Sequence, residues 1–188
     1  MKDSGGDVTQ LLAQISHREP GAEERLVDVI YGELKKLAAS QMRGERSDHT
    51  LSPTALANEA WLRFAPDVGG LRSRQQFFSI AVTAMRRILI EHARSRHAAK
   101  RGGDGGVIRL ENLDEFATPS DEQMIALDES LTALSAIRPR AARVVELRFF
   151  GGFTHEDIAT MLDVERRTVD RDWAFARAWL FDYLRRDG

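Results

Sequence analysis

Arg166, Arg167, Arg171 and Arg177 recur at spacings that set guanidinium groups along the outer side of one helix, with Thr168 among them. Guanidinium forks suit phosphate oxygens and the N7/O6 edge of guanine, so the chemistry on offer is recognition of duplex DNA. The same segment carries Val169, Trp173, Ala176 and Leu180 on one apolar stripe. A shorter segment before it places Ile158, Ala159 and Leu162 on one face at helical spacing. Thr154 can cap that shorter helix, and Asp157 can reach back to complete the cap. Small Ala159 suits a crossing point. Asp163 stands where glycine is the usual turn residue, and aspartate tolerates a left-handed backbone. The spacing predicts a helix-turn-helix over residues 154–180, its second helix entering the major groove. Arg171 and Arg177 could instead be solvated or pair with Asp170 and Asp172.

A second cationic group lies upstream. Arg86, Arg87, Arg94, Arg96, Lys100 and Arg101 crowd one helical stretch, with Glu91 the only acid among them. Such a face suits a nucleic-acid backbone, although cations also favour a helix C-terminus. Adjoining Phe77 and Phe78 could stack bases but read first as core. Other chemistry is thinly represented. His17, His49, His92, His97 and His155 show no metal-protease spacing, and His92 and His97 do not share a helix face. The GGDGG stretch lacks the lysine and preceding strand of a phosphate loop. No Ser/His/Asp set stands out. We expect no catalytic residues, no metal, no cofactor and no enzyme activity.

The 188 residues suffice for one domain or two small ones, and the absence of cysteine excludes disulfides, thiol catalysis and cysteine-ligated zinc. Net charge is −2, from 27 basic and 29 acidic residues, which is low for a protein that grips DNA alone. Clustered cations and a partner that supplies the rest of the grip would resolve this. No apolar run approaches the roughly 20 residues that span a bilayer. The opening MKDSGGDVTQ lacks a signal-peptide core. A cytoplasmic protein without membrane contact is expected.

The elements that must position these faces read as helices throughout. Val8, Leu11, Leu12 and Ile15 mark a short first helix, broken at residues 18–21. Residues 22–42 form a longer one with Leu26, Ile30, Leu34 and Leu37 buried. Ser52 caps the next, Pro53 takes its first position, and Leu51 can pack on Leu56 as a staple. Leu56, Ala60, Trp61 and Phe64 make its buried face. Residues 74–99 form a long helix, apolar first and basic after. Residues 101–120 read as a linker, with 107–110 the only stretch resembling a strand. Met124, Leu127, Leu131, Leu134 and Ile137 form a helix stopped by Pro139, and residues 141–149 form another, closed by Gly151 and Gly152. The fold class is all-α: two small helical domains joined by a flexible linker.

Two motifs together resemble the bacterial extracytoplasmic-function (ECF) sigma factors. One is TLSPTALANEAWLRF followed by FFSIAVTAMRRILIEHARSRHAAKRGG; the other is ELRFFGGFTHEDIATMLDVERRTVDRDWAFARAWL. The resemblance implies that residues 1–100 bind core RNA polymerase and recognise and melt the minus-ten promoter element. Residues 101–121 would be the linker, and 122–188 would read the minus-thirty-five element. It places Leu56, Asn58, Glu59 and Leu62 on the helix that docks on the polymerase clamp. Residues 66–73 fall where a flipped base is received. Arg86, Arg87, Arg94, Arg96 and Lys100 fall on the strand-separating helix. Thr154, Arg166, Arg167, Thr168, Arg171 and Arg177 fall on the minus-thirty-five side.

The branch is one that lacks the acidic clamp-docking motif. Family members usually carry several acids where this chain reads Ser52-Pro53-Thr54-Ala55, with no acid until Glu59. Phosphorylation of Thr50 or Thr54 by a Ser/Thr kinase would supply about −1.5 to −2 of charge there. An anti-sigma factor is also compatible with the sequence. The alternatives are a stand-alone helix-turn-helix regulator binding DNA as a dimer, and a helical adaptor that never touches DNA.

Overall fold

The computed structural model describes residues 5–42, 51–65, 73–100 and 120–186. Eight helices run through them: α1 (Gly5–Ser16), α2 (Ala22–Gln41), α3 (Pro53–Phe64), α4 (Arg74–Lys100), α5 (Asp121–Ile137), α6 (Pro139–Phe149), α7 (His155–Leu162) and α8 (Arg166–Arg186). The described residues contain no strand. The stretch 107–110, the linker from 101 to 119, Thr50 and the loop 66–72 lie outside them.

Local chemistry sets the helix ends. Between α1 and α2 the chain turns through left-handed Arg18 (φ 57°) and Gly21 (φ 74°). Ser52 Oγ accepts the Ala55 amide at 3.1 Å, and Pro53, which has no amide hydrogen to satisfy, takes the first helical position. Leu51 and Leu56 are both buried, as a staple requires. Ser73 Oγ accepts the Gln76 amide at 3.2 Å and starts α4. A capping box of Ser120 and Gln123 starts α5.

Helices α1 to α4 pack as one unit around Leu26, Ile30, Leu34, Leu56, Phe77 and Met85, all buried. Edge-to-face contacts run from Trp61 through Phe64 and Phe77 to Phe78. Phe77 and Phe78 are therefore core residues, and the stacking alternative loses its accessible rings. Helices α5 to α8 pack around Leu127, Leu131, Leu134, Val145, Val169 and Leu180. The two units meet: α4 lies against α5, α6 and α7, and Phe78 meets Phe153 edge-on at 5.8 Å.

Close packing at the end of α6 explains its glycine pair. Gly152 takes φ 65°, and its amide donates to the Arg148 carbonyl at 3.1 Å. A methyl group on Gly151 would sit 2.4 Å from both the Leu147 carbonyl oxygen and the Phe153 ring. The obstacle is partly backbone, so it cannot swing aside. Gly151→Ala is expected to cost about 1–3 kcal/mol, read as a lowered midpoint in thermal or denaturant unfolding.

Candidate nucleic-acid interface

Helices α7 and α8 form the expected helix-turn-helix. Thr154 and Asp157 make a reciprocal capping box: Thr154 Oγ1 accepts the Asp157 amide at 3.2 Å, and Asp157 Oδ2 accepts the Thr154 amide at 3.0 Å. Asp163 takes φ 52°, ψ 50° at the turn, so the left-handed residue is an aspartate, as its tolerance allows. Val169, Trp173, Ala176 and Leu180 are all buried and seat α8 on the bundle. Trp173 also meets His155 edge-on at 5.9 Å.

The opposite face of α8 is open. Arg166 and Arg167 keep 63% and 78% of their side-chain surface. Arg166 pairs with Glu156 at 2.6 Å, and Arg167 with Glu165. All four side chains are exposed, so each pair is worth only about 0–1 kcal/mol and exchanges readily for a phosphate or base. Arg171 is exposed and donates to Thr168 Oγ1 at 3.4 Å, while Arg177 is half-buried. Neither aspartate considered as a partner is idle. Asp170 faces His155 at 2.6 Å and Arg166 at 3.8 Å, and buried Asp172 holds Arg140. The Arg140 guanidinium is pushed above its usual value, first by its hydrogen bond to Asp172 and then by that charge. Thr154 is exposed, but its hydroxyl is engaged by Asp157 at 2.7 Å, so its first task is the cap.

The upstream cations behave differently. Arg87 is exposed. Arg86 is only 16% exposed and reaches Asp128 at 2.7 Å and Glu146 at 3.3 Å. Arg94 also reaches Asp128, at 3.1 Å. Arg96 pairs with Asp121 at 2.5 Å through two guanidinium nitrogens. His97 faces Glu122 at 3.1 Å. The Glu122 carboxyl is held below its ordinary value by its own backbone amide first, then by Ser120 and His97. The Lys100 side chain lies outside the described residues. None of the acidic partners drew attention in the sequence. Asp121 and Asp128 stand seven positions apart, on one helix face, which was the available signal.

The residues of α3 expected to dock divide. Asn58 is exposed and accepts a hydrogen bond from the Tyr31 hydroxyl at 2.6 Å. Glu59 pairs with Arg63 at 2.8 Å, and Arg63 also reaches Glu91 at 2.6 Å. That hydrogen bond, more than any charge nearby, holds the Glu91 carboxyl below its ordinary value. Leu62 keeps 74% of its surface and is open to a partner. Leu56 is a correction to the docking set: it is fully buried beside buried Leu51, as the staple expects, so its side chain is not open to a partner. Thr54, in the first turn, is exposed.

No group of three or more metal-binding side chains occurs among the described residues, and no helix among them is long and apolar enough to cross a membrane. No curated protein and no solved structure matches the chain. The family model for ECF sigma factors matches residues 5–186, nearly the whole length. With a capped helix-turn-helix bearing open arginines, a cationic helix and an all-α fold, the chain belongs to the ECF sigma factor family, whose members direct transcription initiation with core RNA polymerase at promoter DNA.

Proposed function

We propose that residues 1–100 hold core polymerase and the minus-ten element, that 101–121 link, and that 122–188 read the minus-thirty-five element. The exposed Arg166–Arg167 pair at the start of a firmly seated α8 carries this reading. On α3, Asn58, Glu59 and Leu62 meet the polymerase. On α4, the arginines meet the separated strand. The protein catalyses nothing itself: phosphate contacts orient it, and base contacts choose the sequence. Binding of the unpaired strand by cations draws the duplex open. Its place is the cytoplasm, where polymerase and promoter are.

Phosphorylation is the proposed switch on polymerase binding. Exposed Thr54 sits in the first turn of α3, where free amides and the positive end of the helix dipole favour a phosphate. That turn carries no acid. Thr50 is the second candidate, and a Ser/Thr kinase the partner. An acid at the right threonine, Thr54→Glu or Thr50→Glu, should tighten retention of core polymerase by about tenfold, the equivalent of one charge-assisted hydrogen bond. Equal, strong retention of the unmodified chain would remove the switch. The wider test is transcription from a promoter library with purified core polymerase, with and without kinase treatment. A stand-alone dimeric regulator would instead footprint paired half-sites unaided.

A further inference from the structure

A connected polar row crosses the outer side of the helix-turn-helix. His155 and Glu156 are the first two residues of α7, and Arg166 and Asp170 lie four apart on one side of α8. His155 Nδ1 stands 2.6 Å from Asp170 Oδ1. A carboxylate only accepts, so the ring nitrogen carries the hydrogen of that bond. The His155 ring is itself seated, 21% exposed and edge-on to buried Trp173. The other aspartate oxygen, Oδ2, faces Arg166 Nε at 3.8 Å, and Arg166 Nη1 reaches Glu156 Oε1 at 2.6 Å.

We infer that Asp170, held by His155, is a positioning residue that aims Arg166 at a guanine of the minus-thirty-five element. This rests on the reading of α8 as the recognition helix. A carboxylate on a face that meets DNA repels every phosphate alike, so it adds nothing to grip and acts on choice. Its place beside Nε sets how it acts. With the inner nitrogen turned to Asp170, the two terminal nitrogens point away from it, as the fork that fits guanine O6 and N7. Glu156 is 60% exposed, so it holds one terminal nitrogen only until a base replaces it. Arg166 opens the first turn of α8, the part of a recognition helix that meets base edges. Arg167 is paired with Glu165 just before α8, whereas Arg166 is braced from α7 and α8 together.

The full chain bound to core polymerase, assayed on duplex promoters carrying each base at each position of the minus-thirty-five element, tests this. Arg166→Ala should lose roughly tenfold of the preference at one G·C position. Asp170→Asn should lose about fivefold at that same position and leave the others unchanged. In the free chain Asp170→Asn should raise affinity for a random duplex about threefold and steepen the slope of log affinity against log salt by about 1, since one opposing charge is gone. Its melting midpoint should stay within about 2 °C, because the carboxylate is 47% exposed. A purely structural role would move the midpoint and leave the slope alone. His155→Ala should broaden the same base position, and His155→Asn, which keeps a donor near the place of Nδ1, should restore it. Unchanged preference in Asp170→Asn or in Arg166→Ala, with Arg167→Ala still altering it, overturns the positioning and leaves the α8 reading standing. So does a change confined to a different position, which would make Asp170 a base reader in its own right. If neither Arg166→Ala nor Arg167→Ala alters preference anywhere in the element, the α8 reading fails and the positioning fails with it.

Discussion

Arg167→Ala is expected to cut transcription from the cognate promoter by roughly 5- to 150-fold, the cost of about 1–3 kcal/mol for one good base contact. Retention of core polymerase should not change. The two effects separate because Arg167 is on α8, fully outside α3, and 78% exposed. Its removal leaves no buried charge behind, since its partner Glu165 is itself exposed. Stability should therefore move by less than about 0.5 kcal/mol. A variant that initiates normally would take base reading away from this residue. An adaptor that never meets DNA would give that result.

The contrast with Arg86 shows which parts of the site are local. The helix-turn-helix was legible because its determinants lie within a few residues of one another. Thr154 and Asp157 are three apart, and Asp163 needs only its own backbone preference. The apolar stripe of α8 follows from periodicity alone. The cationic run of α4 was legible as charge, but its partners come from α5 and α6, at separations of 25 to 60 residues. Periodicity gives the direction of a face and not what covers it. Leu56 shows the reverse: periodicity put it on the buried face of α3, where it lies, and only the position of its motif suggested a docking contact. Arg143 had no sequence signal at all, since its neighbours on α4 are uncharged Ser79 and Thr83.

Phe77→Ala is expected to have the largest effect on folding. Phe77 is fully buried and meets Phe64 edge-on at 5.4 Å and Phe78 at 5.2 Å. Truncating such a ring costs about 3–5 kcal/mol, from lost burial and the cavity left behind. For a chain of this size that lowers the melting midpoint by roughly 6–20 °C. The loss should reach function through α3. Phe64 is how α3 grips α4, so Asn58, Glu59 and Leu62 lose their fixed platform, and polymerase retention should fall with stability. Phe77→Leu keeps most of the volume and should recover both together. If the ring instead stacked on a base, promoter opening would fail while the melting midpoint held. The two readings thus divide on a single unfolding curve, and the buried edge-to-face contacts favour the first.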